Sequence, residues 1–352
     1  MLTLQKKMSQ HKPLIIMKTI SLTILLILVF FANYSFAQIT TRIIVKQNEP
    51  QSTETIKYDS TKNWLGSKNI ESYIGQTLYV NGKSEGLKEY GYDGFHNQRE
   101  EGSGKHYGNN AEASPFNTKY EDLFGRYFVV DEVYKDKLYS SFKYWWFLIH
   151  EKNNPEIQIW FKYSEEFEHS WPFLVVSYFE YLKKNVIGKK YISEMWERET
   201  TDDEKNKYGS KRIITRVNDT DINTGGSITH TLSDIWECID VTIEEDYFTL
   251  SLVVKNQKNQ TSLIPADILG QRENGTYWIY EKTVYDKYVT RFGVSNMNKI
   301  RQRKIAVGMT IEMLKLSWGE PDNINRSSQG LDQWVYDGQY VYVQNGKITA
   351  WN

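Results

Sequence analysis

The chain is poor in cysteine, in proline and in net charge. A single cysteine among 352 residues, Cys238, excludes an internal disulfide framework and a cysteine-rich zinc module. Lysine and arginine total 43 against 44 aspartates and glutamates, a formal net charge of −1. That balance gives no electrostatic footprint for nucleic acid. The longest apolar run, residues 20–31 (ISLTILLILVFF), has 12 residues, short of the ~20 that a membrane-spanning helix needs. Catalytic spacings are missing too. There is no H-E-x-x-H and no G-x-S-x-G, and the nearest histidines, His96 and His106, lie ten apart in a loop-like stretch. No cofactor and no metal site is expected.

The apolar run has its own reading. Lys18 precedes it, and Ser35-Phe36-Ala37 places small residues at a cleavage site before Gln38, as in a signal peptide. Residues 1–37 are therefore set apart from the fold, with 1–16 an upstream extension and Met17 an alternative start. No cysteine follows the run, so the chain is expected to be exported without a lipid anchor, to the periplasm or beyond. Cleavage would remove Lys6, Lys7, Lys12 and Lys18 and no acid, leaving a more acidic mature chain with no stable membrane span.

Aromatic residues make up 14% of the chain, and their pattern is mainly β. Residues 38–69 read as a leader with a short strand at 41–46. Then a weak repeat appears around Gly75, Gly125 and Gly188: two apolar residues, the glycine, a polar residue and a strand. Glycine suits a turn with positive φ at such a point. Residues 142–150 with 156–163, and 247–254 with 260–264, read as β-branched and aromatic hairpins. The expected organisation is tandem small β-modules over 70–118, 119–185 and 186–270, of SH3-like size, with residues 90–113 a long loop. Residues 172–185 read either as a helix or as a valine-rich strand entering one. Cys238 sits in a strand-like alternation (WECIDV) and is read as a buried small hydrophobe rather than a nucleophile.

The C-terminal segment is the most legible. Tyr285, Tyr288, Val289 and Phe292 mark one face of a helix ending at Gly293. Thr310 can cap a second helix that stops at Gly319 and Pro321. Strands follow at 333–336, 339–343 and 347–351, split by Asp337-Gly338 and Asn345-Gly346, both strong hairpin signals. The order is ααβββ. With Val307-Gly308-Met309-Thr310, Trp318-Gly319-Glu320-Pro321, Gln333-Trp334-Val335-Tyr336 and Tyr342-Val343-Gln344-Asn345-Gly346-Lys347, residues 282–352 resemble the SmpA/OmlA (BamE-like) domain, as found in Bacteroidetes secreted proteins. The resemblance implies a small α+β binding domain rather than an enzyme.

Other candidate chemistry is weaker. Gly102-Ser103-Gly104-Lys105-His106 fails the phosphate-loop pattern, which needs glycine where Arg99 stands and Ser or Thr where His106 stands. Asp219, Asp221 and Asn223 alternate as in a calcium loop, but Thr224 and His230 occupy positions that need glycine and glutamate. The aromatic set Trp318, Trp334, Tyr336, Tyr340, Tyr342 and Trp351 is the candidate binding surface. The functional expectation is a non-enzymatic binding or assembly module for a protein or envelope component. The alternative is a hydrolase of envelope polymer working through an unidentified carboxylate pair.

Overall fold

The computed structural model describes residues 57–64, 67–99, 107–108, 118–136, 144–164 and 171–352. The expected signal segment, the strand at 41–46, the loop at 102–106 and His169 lie outside the described residues. The described chain is mainly β, with curled antiparallel sheets and a few C-terminal helices.

Strands β1 (Thr77–Val80), β2 (Phe95–His96), β3 (Tyr127–Lys135), β4 (Tyr144–Glu151), β5 (Asn154–Ser164) and β6 (Phe173–Val175) form one sheet, in the order β2-β5-β4-β3-β1-β6. Alternation places Trp145, Phe147 and Ile149 of β4 and Ile159, Phe161 and Tyr163 of β5 in one core. The sheet curls until Phe95 on one edge strand meets Phe173 on the other, with ring centroids 5.6 Å apart. The outer edge of β6 is closed by a side chain. Asn63 donates to the Phe173 carbonyl at 2.9 Å and accepts from the Val175 N–H at 2.8 Å, as a neighbouring strand would.

Helix α1 (Val176–Val186) continues directly from β6 and leads into a second sheet. Its strands are β7 (Lys190–Ser193), β10 (Trp236–Ile243), β11 (Leu250–Lys255), β12 (Thr261–Pro265) and β13 (Ile279–Glu281), in the order β12-β11-β10-β7-β13. A separate hairpin, β8 (Met195–Glu199) with β9 (Lys211–Thr215), stands between β7 and β10.

The two sheets repeat one design. The run β6-β1-β3-β4-β5 matches β13-β7-β10-β11-β12 strand for strand. Leu78 faces Phe128 as Tyr191 faces Trp236. The bulge between Val130 and Glu132 recurs between Cys238 and Asp240. Phe147 and Ile149 correspond to Leu252 and Val254, each buried. Each last strand runs straight into an 11-residue helix, α1 or α2 (Lys282–Phe292). At roughly 1.5–3 kcal/mol for each large apolar side chain buried, the shared inward positions account for much of what holds either sheet together.

This duplication corrects the expected module boundaries. Strands from the proposed first and second modules share one sheet, so 70–118 and 119–185 are halves of a single unit. The glycine repeat explains the misreading. Gly75 and Gly125 each follow a short helical turn with φ near +80°, and their strands pair with one another around Leu78 and Phe128. The Gly75 N–H donates to the Val130 carbonyl and the Gly125 N–H to the Val80 carbonyl, a local two-fold relation. Gly188 alone opens a new sheet. Residues 172–185 adopt the second of the two readings, a short strand entering a helix.

The C-terminal part carries α2, α3 (Val294–Arg301), α4 (Ile311–Trp318) and a sheet of β14 (Asn323–Asn325), β15 (Leu331–Tyr336), β16 (Gln339–Gln344) and β17 (Lys347–Trp351) in sequence order. It has one helix and one strand more than the ααβββ reading. The Thr310 hydroxyl caps α4 by accepting from the Met313 N–H at 3.3 Å. Both expected hairpin turns have left-handed pairs, Asp337-Gly338 and Asn345-Gly346. The C-terminal core also takes in Ile192 of β7 and Tyr280 of β13. No helix among the described residues is long and apolar enough to cross a membrane.

Candidate functional site

The site grows from the residue after β7. Glu194 has its carboxylate only 5% exposed, and two arginines converge on it. Arg216, just past β9, donates from Nε to Oε1 at 2.8 Å. Arg303, just past α3, donates from Nη2 to Oε1 at 2.9 Å and from Nε to Oε2 at 3.0 Å. A carboxylate this buried needs such partners, because the charge has lost its water. The neighbouring Arg301 is itself buried. Its guanidinium donates to the carbonyls of Ser193 at 3.0 Å and Leu232 at 2.8 Å, and loss of water pulls its pKa down. Arginines from the C-terminal helices thus anchor on the second sheet.

Aromatic rings line the same junction. The Arg216 and Arg272 guanidinium carbons lie 4.7 and 4.1 Å from the Trp278 ring, and that of Arg303 lies 4.8 Å from Trp196. The Trp318 indole donates to the Arg303 carbonyl at 2.8 Å and meets Tyr336 edge-on at 5.4 Å. Gly319 has φ +90°, and a Cβ there would stand 3.0 Å from Asn274. The Glu320 N–H then donates to the Asn274 carbonyl at 3.1 Å. The Trp-Gly-Glu-Pro motif therefore presses the C-terminal part against the loop that enters β13.

Between these parts lies a cleft of about 720 Å³. One wall carries Arg272, Thr276 and Tyr277, with Arg303 and Glu194 at its base. The other carries Trp318, Glu320, Asp322, Tyr336 and Asp337. Burial raises the Tyr336 hydroxyl pKa, with Glu320 and Asp322 adding to it, so the group stays a neutral donor. Glu320 pairs with Lys315 at 2.7 Å, and Asp322 accepts from the Asp337 N–H at 2.7 Å. Among the described residues, Arg272 has no carboxylate partner and Asp337 no cationic one.

The six aromatics expected to form one surface do not do so. Trp318 and Tyr336 line the cleft. Trp334 and Tyr336 both point into the C-terminal core, as strand alternation requires once Val341 and Ile348 lie inside. Tyr340 and Tyr342 take the opposite face of the sheet, where the Tyr342 hydroxyl accepts from Gln333 Nε2 at 3.2 Å. Trp351 is half-exposed at the end of β17. The charged members of the cleft were missed. The one sequence signal for them is the basic cluster Arg301-Gln302-Arg303-Lys304 at a helix end.

The other sequence candidates have local roles. The Asp221 carboxylate accepts from the N–H groups of Asn223 and Thr261, and Asn223 donates to Thr261. Asp219 faces His230 and Arg212, which lower its pKa. The three oxygens therefore do not converge, and no cluster of His, Cys, Asp or Glu among the described residues has the makings of a metal site. Cys238 is buried, and burial pushes its thiol up to about 11. No protein-family model, curated protein or solved structure matches the chain.

Proposed function

We propose that the protein is an exported envelope protein, periplasmic or extracellular, that binds a protein or envelope component without transforming it. On this reading the duplicated sheets are tandem SH3-like modules. The C-terminal part is a BamE-like domain, elaborated by one helix and one strand. The observation that carries the proposal is the cleft at their junction. A binding groove combines apolar surface with a few fixed polar groups, and this cleft supplies Trp318, Tyr277 and Tyr336 beside Arg272 and Asp337. Its walls are held by the Glu194 ion cluster, so the groove is formed before any ligand arrives.

The hydrolase alternative has no specific observation in its favour. Glu194 is held by two arginines, Glu320 by Lys315, and Asp322 by a backbone N–H.

Site-specific photo-crosslinking tests the reading in cells that express the full chain. A crosslinker at Gln339, on the cleft wall, is expected to capture a defined partner. One at the exposed Lys258, in the β11–β12 turn, is expected not to. Equal yields from both positions would refute the cleft as the binding site. Amino-terminal sequencing of the envelope fraction is expected to begin at Gln38.

A further inference from the structure

We infer that the cleft takes a peptide segment bearing both an acidic and a basic side chain, the acid on Arg272 and the base on Asp337. The inference rests on the proposed binding role of the cleft and specifies its ligand. Its ground is a charge count by wall. On the side of the second sheet the lining has Arg272, and Arg303 where it docks, against the single carboxylate of Glu194, which Arg216 also neutralises from outside the lining, an excess of positive charge. On the C-terminal side it has Glu320, Asp322 and Asp337, of which Lys315 neutralises only Glu320 from outside the lining, an excess of negative charge. The two sides therefore carry charge of opposite sign.

A polyanion or a polycation would gain on one wall and lose on the other. A neutral chain would have to strip water from Arg272 and Asp337 without replacing it. A segment with both charges satisfies both walls. Arg272 offers a planar donor fork suited to a carboxylate, already stiffened by the Trp278 ring and by donation to Thr276 Oγ1 at 3.2 Å. Asp337 projects from the tight β15–β16 turn, whose left-handed backbone fixes its place. The Trp318 face beside Tyr336 gives the aliphatic stem of a lysine or arginine an apolar rest.

The test uses the full chain and synthetic glycine-serine peptides of eight residues. Four charge classes are compared: one glutamate and one lysine, glutamate only, lysine only, and neither. In the first class two, three or four residues separate the charges. Tryptophan fluorescence and calorimetry report binding. The two-charge peptide is expected to bind about tenfold or more tightly than the uncharged one at its best spacing. Arg272→Gln should erase the gain from glutamate and leave that from lysine. Asp337→Asn should do the converse, since asparagine keeps the turn. A flat charge series with measurable binding would overturn the charge-pair inference and leave the cleft reading standing. Absence of binding by all peptides, together with no selective capture from Gln339, would overturn both. Equal effects of the two substitutions on the glutamate gain would also overturn the pairing.

Discussion

Glu194→Gln isolates the charge at the junction while keeping the size of the side chain. The carboxylate is 5% exposed and satisfies two arginines that are 31% and 37% exposed. Removing one partner of a fully buried pair costs about 3–5 kcal/mol. Here water can reach both guanidinium groups, so roughly half of that is expected, about 2 kcal/mol. The amide also turns an N–H₂ toward a guanidinium, which replaces an acceptor with a donor. For a cooperative unit of the size of the second sheet plus the C-terminal part, that corresponds to a fall in Tm of about 4–8 °C. Arg303→Gln should cost less, about 1 kcal/mol, because Arg216 still neutralises the carboxylate. The double variant should then show a coupling energy of about 1 kcal/mol. Thermal and denaturant unfolding of the four proteins would measure it. A Glu194→Gln protein melting within 1 °C of the parent, or a coupling near zero, would refute the view that this ion cluster fixes the cleft walls.

Four further outcomes follow from the packing and the ion pairs. Cys238→Val should cost about 1 kcal/mol, because valine adds one methyl-sized group at a buried position whose equivalent in the first sheet, Val130, already holds valine. The native thiol, pushed up to about 11, should resist alkylation at pH 8 until the chain is unfolded. Gly82→Ala drives a Cβ into the Phe248 ring and should cost about 1–3 kcal/mol in a denaturant titration, with Phe248→Ala in the same chain restoring part of the loss. Glu204 has its pKa lowered from 4.5 to about 2 by Arg198, the Thr201 N–H and Arg212. Because the folded value is the depressed one, its stabilisation is complete above pH 4.5 and is lost as pH falls through about 2. The methyl resonance of Ile213 on β9 should report that loss, and an unchanged signal down to pH 2 would contradict it.

How far the sequence could be read depended on the range of the interactions. The C-terminal turns were legible because Asp337-Gly338 and Asn345-Gly346 encode positive φ locally. The cap at Thr310 and the stripe of α2 were equally local. Strand β14 was not legible, because Asn323–Asn325 is too short to show a period and is a strand only by pairing with β15. The hairpin of β8 and β9 escaped for a related reason. Its charges, such as Glu197 reaching diagonally to Lys211 on the partner strand, look like a solvated loop until they are paired across it. The glycine repeat marks strand starts but not how the strands group. Three similar motifs gave three modules, whereas two of them face each other across one pair of strands. The cleft was invisible because its charges come from residues more than 100 positions apart, such as Glu194 and Arg303.

The duplication gives that distant pairing a logic. Asn81 and Glu194 are equivalent residues. Each follows the first strand of its sheet and donates its N–H to the carbonyl just before the last strand, Pro172 in one case and Trp278 in the other. Each side chain then grips what comes next along the chain. Asn81 donates from Nδ2 to the Phe248 carbonyl at 2.8 Å, and Glu194 receives Arg303. Phe248 and Arg303 both have left-handed backbones, with φ of 54° and 56°, so each is presented from a local kink. One corner of the repeated unit therefore serves twice as a docking point, with different chemistry each time. At Gly82 an aromatic ring fills a recess that admits no side chain. At Glu194 two guanidinium groups neutralise one carboxylate, which leaves a surplus of positive charge at the junction. The first junction, a ring and one neutral hydrogen bond, carries no charge. The ionic joint leaves Arg272 and its neighbours at the wall of a cleft, and this is why the proposed binding surface falls at the second corner.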